Sequence, residues 1–202
     1  TPSGHRMELF YEIEKPDAPP ERRSKLRNKP YAETTTNPVA PRRIDHVQVW
    51  DDDALALAEW LCEHLGFRVQ EQYDNADGSR WGTFVSANGV KIEAAVIQHE
   101  EAGAPPALNH VAYKVDSGDD LFAAADAMRE RGIPTDGFGQ HSISRGKFCY
   151  ARDPVSDHTI EFNAGGYLVF DPTWEPIAWK ETDLEDRQWV GRIAGGENVP
   201  YS

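Results

Sequence analysis

Two histidines of this chain stand in the same local phrase. Arg43-Ile44-Asp45-His46-Val47-Gln48-Val49-Trp50 returns as Ala107-Leu108-Asn109-His110-Val111-Ala112-Tyr113-Lys114, with an apolar residue, Asp or Asn, His and Val in one order. Each copy reads as a strand, and alternation places His46 and His110 on the face opposite their flanking valines. A third candidate, Glu161, lies on a later strand. Two neutral imidazoles and one carboxylate on one side of a metal ion leave its other positions open, the arrangement that suits ferrous iron in oxygen chemistry.

Such a cluster needs elements that bring residues 46, 110 and 161 together, and the sequence repeats those elements too. After the His46 strand, residues 54–65 have helical composition, with Asp51, Asp52 or Asp53 to cap the start and Gly66 at the C-cap. Strands are predicted at 67–73, 81–87 and 90–98. Asn75-Ala76-Asp77-Gly78 joins the first pair, and Asn88-Gly89 reads as a two-residue hairpin between the second pair. After the His110 strand, a helix from Asp119 to Arg131 ends at Gly132 and Pro134, and strands follow at 139–144, 147–152 and 159–163. The fold class is therefore α+β: two tandem βαβββ modules, residues 42–104 and 105–165. The two histidines are 64 residues apart, which sets the repeat length.

The flanks read differently. Thr1 to Phe10 resembles Asp153 to Phe162 with one residue inserted, so residues 1–16 are expected to be the final strand of an N-terminal domain preceding this chain in the same polypeptide. Residues 17–41, rich in Pro and charge, read as a linker. Residues 166–202 form an aromatic, aperiodic tail that wraps the modules or contacts a second subunit, so a homo-oligomer is expected.

Composition narrows the function classes. At 202 residues and 39% hydrophobic content the chain can bury one good core. A net charge of −13 disfavours nucleic-acid and anionic-membrane partners, which need cationic surface. No apolar run approaches the roughly 20 residues of a membrane span and no signal peptide opens the chain, so a cytoplasmic location is the default expectation. Cys62 and Cys149 are too few for a disulfide framework and read as plain buried thiols. His5, His64, His99 and His158 read as surface or turn residues.

The stretch Gly139-Gln140-His141-Ser142-Ile143-Ser144, then Phe148-Cys149-Tyr150-Ala151-Arg152-Asp153-Pro154, then Ile160-Glu161-Phe162 resembles the C-terminal catalytic domain of type I extradiol dioxygenases of the vicinal oxygen chelate superfamily, whose fold is glyoxalase-like. The likeness covers essentially the whole chain and implies that the paired modules form a curved sheet enclosing a metal. It implies that His46, His110 and Glu161 bind Fe(II), with Mn(II) as the alternative. It also implies that His141 and Tyr150, nine residues apart as in the family, contact a catechol-type substrate during ring cleavage by O2. Two neutral ligands and one carboxylate would leave the ion with a net charge of about +1, which attracts a catecholate and lowers the pKa of its bound hydroxyl.

One departure stands out. Family members carry another histidine on the last strand of the first module, whereas Val90 to Val96 contains none. Aligning the repeats by sequence pairs Glu93 with Glu161, so Glu93 is a candidate fourth ligand or general base, Lys91 a candidate proton donor, and an outward-facing strand residue the plain alternative for Glu93. Two histidines with two glutamates would resemble the isomerase and lyase branch of the superfamily. A binding module that keeps the fold without the metal is the third reading.

Overall fold

Each histidine strand opens a unit that closes beside its own first strand. The structure, a computed structural model, describes residues 1–26, 29–31, 39–180, 183 and 189–190. A 3-10 turn, Pro20–Arg22, leads into a small antiparallel pair, β1 (Arg23–Leu26) and β2 (Lys29–Tyr31). The first module contains β3 (Arg43–Asp51), α1 (Ala54–Leu65), β4 (Arg68–Asp74), β5 (Arg80–Ser86) and β6 (Ala94–Gln98). The second contains β7 (Ala107–Lys114), α2 (Asp119–Arg129), β8 (Thr135–Gln140), β9 (Gly146–Arg152) and β10 (Thr159–Gly165). Two further strands, β11 (Ile177–Lys180) and β12 (Trp189–Val190), come from the tail.

All but the first hairpin join one ten-stranded sheet, ordered β11-β4-β5-β6-β3-β7-β10-β9-β8-β12. In each module the first and last strands run parallel, β3 with β6 and β7 with β10, and the modules meet where β3 pairs antiparallel with β7. Both histidine strands are thus central and adjacent. The tail caps the two edges: β11 pairs with β4, and β12 with β8.

The helices cover one face of the sheet. Leu57, Ala58 and Leu61 of α1 pack on Val85 and Val96, while Leu121 and Ala124 of α2 pack on Cys149 and Phe162. Fully burying a leucine such as Leu57 contributes about 1.5–3 kcal/mol, which offsets the cost of ordering its surroundings. Because strand residues alternate, the neighbours of these core residues, among them Phe84, Tyr150 and Glu161, turn to the opposite face. Asp53 caps α1 by accepting from Ala56 N, and Gly66 ends it at φ 71°, as the sequence predicts.

Several local expectations are corrected. Residues 1–16 pair with no strand of the described chain, whose sheet holds none of the neighbours expected of them. Their Leu9, Phe10, Tyr11 and Ile13 are exposed. The turn at the start holds, however, and pins the segment to the first module, because Ser3 Oγ donates to the buried Asp51 and His5 Nε2 lies 3.2 Å from it. The presumed linker contains the β1–β2 hairpin. Asn88-Gly89 is not a two-residue hairpin, since residues 87–93 form a wider loop between β5 and β6. The strand predicted at 139–144 ends at Gln140, because Ser144 and Arg145 adopt φ 57° and turn the chain back into β9. Among the described residues no helix is long and apolar enough to cross a membrane.

Candidate metal centre

β-Bulges, which alternation does not anticipate, shape the site. Ile44 pairs with Tyr113 and His46 with Ala112, so Asp45 is an extra residue in β3; Gln48 pairs with His110 and Val49 with Leu108, so Asn109 is an extra residue in β7. A bulge re-aims side chains, and here it lets each residue preceding a histidine reach that histidine's ring. Asp45 Oδ2 lies 3.2 Å from His46 Nδ1, and Asn109 Oδ1 lies 2.6 Å from His110 Nδ1. With an acceptor at each Nδ1, the hydrogen sits there and each Nε2 keeps its lone pair.

Those two Nε2 atoms face one another at 3.3 Å. Glu161, on β10, points into the same spot: its Oε2 lies 2.9 Å from His110 Nε2 and 3.4 Å from His46 Nε2. Donor atoms about 2.1 Å from a common centre and at right angles to one another stand about 3.0 Å apart, so the triangle matches one face of an octahedron around a divalent ion. With both Nε2 atoms deprotonated, three electron-pair donors converge on one point. The donor set of two imidazoles and one carboxylate therefore fits a divalent metal, and these three residues can hold it.

The carboxylate is oriented from behind. Asn163 Nδ2 donates to Glu161 Oε1 at 2.9 Å, and Lys114 Nζ donates to Asn163 Oδ1 at 3.0 Å, which fixes the amide so that its NH2 faces the glutamate. Glu161 Oε2 is left for the histidine pair. Burial alone would lower the pKa of His46, but the Asp45 and Glu161 carboxylates outweigh it and bring the imidazole to about 9. Burial likewise works against an ionised Glu161, yet the two imidazoles hold it well below the usual carboxylate range. Both directions report one fact: the pocket between these groups attracts positive charge.

The centre opens into a cavity of about 760 Å³, within the range of small-molecule sites. His141 and Tyr150 both border it. Tyr150 sits directly opposite Glu161 across β9 and β10, and its hydroxyl lies 3.2 Å from His141 Nε2. The His141 ring stacks on Phe148 at 4.0 Å, which holds it in the turn after β8. Burial lowers the pKa of His141 and raises that of Tyr150, so a neutral imidazole stands beside a protonated phenol.

The fourth corner holds no carboxylate. Val47 pairs with Ala94 in β3–β6, placing Glu93 level with His46, whereas His110 pairs with Thr159 in β7–β10. Superposing the modules by register therefore matches Glu161 to Ala95, which borders the cavity, and matches Glu93 to Thr159. Glu93 is occupied elsewhere: it accepts from Ala87 N at 2.6 Å and from the Asn88 side chain, closing the loop before β6. Lys91 does reach the cavity, where its Nζ donates to Asp45 O and to Ile92 O at 3.2 Å.

Sequence reasoning missed two groups of residues. Asp45 and Asn109 were visible, since the residue before each histidine repeats, but a partner one position away needs a bulge. Glu71, fully buried on β4, gave no sequence signal: it accepts from Ser144 N at 2.7 Å, Tyr167 Oη at 2.5 Å and Trp179 Nε1 at 2.5 Å. One carboxylate thus ties the first module to the β8–β9 turn and to the tail, whose Tyr167 and Leu168 border the cavity.

A metal-binding face at the seam of two βαβββ units defines a class of protein, and the sequence agrees: residues 43–162 match the Glyoxalase/Bleomycin resistance protein/Dioxygenase superfamily, to which this chain belongs. Particular relatives bear more specific names. The chain is 38% identical over 193 residues to a manganese-dependent 2,3-dihydroxybiphenyl 1,2-dioxygenase from Geobacillus genomosp. 3, covering 94% of this chain and 60% of that protein. It is 30% identical over 199 residues to a metapyrocatechase from Geobacillus stearothermophilus, covering 95% and 58%. Among solved structures, homoprotocatechuate 2,3-dioxygenase from Arthrobacter globiformis superposes with a TM-score of 0.64 at 27% identity, over 74% of this chain and 45% of that one. The chain thus spans about 60% of the length of the curated relatives it matches.

Proposed function

We propose that this chain carries the catalytic module of an extradiol dioxygenase that cleaves a catechol-type aromatic beside its hydroxyls and inserts both atoms of O2. The observation that carries the reading is the open triangle of His46, His110 and Glu161 with the His141–Tyr150 pair beside it in one cavity. Fe(II) bound there would supply a Lewis-acidic centre that holds the substrate oxygens and activates dioxygen. Mn(II) is the second reading, favoured by the manganese dependence in the name of the 38% identical relative.

The chain's own residues do the rest. The Tyr150 hydroxyl donates to a substrate oxygen at the cavity wall, and the neutral His141, held against Phe148, accepts at Nε2 the proton that a substrate hydroxyl loses on binding. Phe84 and Ile92 border the cavity with apolar surface and exclude water from the ring. Ala95 at the fourth corner keeps that position free of a second carboxylate, which speaks against the isomerase or lyase reading with Glu93 at the metal. The exposed Leu9, Phe10 and Ile13 fit a surface for a further domain of the same polypeptide, and the exposed Phe170 of the tail fits a contact with a second subunit.

An oxygen electrode tests the reading. Protein reconstituted with Fe(II), and separately with Mn(II), is expected to consume O2 on addition of catechol and to form a yellow ring-opened product. Metal-loaded protein that binds catechol without consuming O2 would overturn it. Tyr150→Phe and His141→Ala are expected to keep the metal while kcat falls by about 10²–10⁴, the usual contribution of a positioned acid or base; an unchanged kcat would remove both residues from the reaction.

A further inference from the structure

One polar side chain beside the metal ligands is committed to nothing. Asn163, Lys91 and Lys114 are each spent on partners within the chain, and His141 and Tyr150 face one another. Gln48 is half-buried and borders the cavity, yet neither end of its carboxamide has a partner among the described residues, and neither end is sealed beneath other atoms. A carboxamide carries two donor hydrogens and an acceptor oxygen. Here both ends are open to what enters the cavity.

The strands place that group next to the centre. Gln48 stands directly opposite His110 across β3 and β7, and the Cβ atoms of such opposite residues lie about 4.5–5.5 Å apart. His46 precedes it by two residues on the same strand and the same face, roughly 7 Å away. On its other side Gln48 pairs with Ala95 of β6. It therefore stands between a metal ligand and the fourth corner, where the small Ala95 leaves room for its side chain.

The two sides of the centre differ in polarity. The β9 side offers the Tyr150 hydroxyl and the His141 imidazole, whereas the β6 side offers Ala95 and Ile92, both apolar. A ligand atom held on the β6 side gathers negative charge and has left its water behind, so it needs a donor from the protein. Gln48 can supply one from the neighbouring strand. Being neutral, it adds no charge to the centre, and unlike an ammonium or an imidazolium it gives up no proton.

We propose that Gln48 is the hydrogen-bond donor to a small ligand in the open metal position on the β6 side, the position left for dioxygen while His141 and Tyr150 attend to the aromatic substrate. The terminal torsion of a glutamine is broad and two-fold, so a half-turn aims Nε2 at the ligand. This rests on the dioxygenase reading above, and nitric oxide, which binds Fe(II) without turnover, separates the two. Fe(II)-loaded protein is titrated with nitric oxide in the absence of O2. The dissociation constant and the N–O stretching frequency are recorded for the unaltered chain and for Gln48→Met and Gln48→Leu, two apolar replacements, so that the result does not hang on one of them folding. Fe(II) affinity is expected to be unchanged in both, because Gln48 is not a ligand. Nitric oxide should bind about two- to tenfold more weakly, the net worth of one hydrogen bond. The N–O stretch should rise, because the donor that drew electron density onto the nitrosyl oxygen is gone. The same stretch and the same dissociation constant in all three proteins would overturn the assignment, and so would a parallel loss of Fe(II) affinity, which would make Gln48 a metal ligand. A nitrosyl that responds to Gln48 in a protein that takes up no O2 with catechol would support the donor and sink the dioxygenase reading instead.

Discussion

Glu161→Ala and His110→Ala are expected to weaken divalent-metal binding by more than about 100-fold, while Asn163→Ala and Asn109→Ala weaken it by about 10–100-fold. The grading follows from what each residue does. Glu161 Oε2 and His110 Nε2 are two corners of the donor triangle, and removing either leaves two donors. Asn163 and Asn109 donate nothing to the centre; they fix which carboxylate oxygen faces inward and which imidazole nitrogen carries the hydrogen. Competition titration of Fe(II) or Mn(II) against a chelator of known affinity reads all four variants on one scale. Equal losses across the four would mean that the supporting asparagines are ligands themselves, and unchanged affinity in Glu161→Ala would remove the centre from this seam.

Glu71→Leu is expected to lower the free energy of unfolding by about 2–4 kcal/mol, the cost of orphaning several buried donors less the relief of no longer burying a carboxylate. The orphaned groups are Ser144 N, Tyr167 Oη and Trp179 Nε1, so the loss falls on the β8–β9 turn and the tail. Urea denaturation gives the total, and limited proteolysis within residues 165–180 should accelerate first. A loss below about 0.5 kcal/mol, the scale of ordinary surface substitutions, would mean that the tail is held by β11 alone. The pH dependence has a defined sign. Burial raises Glu71 above the ordinary value of 4.5 against the hydrogen bonds that lower it. A raised folded-state pKa contributes stability that is fully present below the unfolded value and is lost as pH rises through the folded one. The advantage of the native protein over Glu71→Gln, which does not titrate, should therefore be larger at acid pH and shrink towards neutrality.

Much of this architecture is legible in the sequence because its two halves repeat. The phrase around His46 and His110 predicts paired strands, and the hydrophobic periodicity and caps of residues 54–66 predict α1 to the residue. Glu161 is legible for the same reason, as the closing strand of a module that must return beside its first strand. The bulges are not legible, since one extra residue in a strand leaves no trace in composition, yet they decide which side chains reach the site. Asp45 and Asn109 both owe their placement to such residues. The repeat also misleads at Glu93. Matching Lys91–Ala94 to Thr159–Phe162 by type is two residues out of the structural register, because the loop at 87–93 absorbs residues that the sequence alignment assigns to the strand. Glu71 lies beyond sequence reasoning for another reason: its partners are 73, 96 and 108 residues away and belong to no repeat.

Isotope labelling tests the central claim most directly. The metal-reconstituted protein is given catechol under 18O2, and the ring-opened product is weighed by mass spectrometry before its labile oxygens exchange with water. Extradiol cleavage at the His46, His110 and Glu161 centre predicts two 18O atoms per product molecule, lost together in the Glu161→Ala variant. A product carrying one labelled atom or none, or full labelling that persists without Glu161, would contradict it.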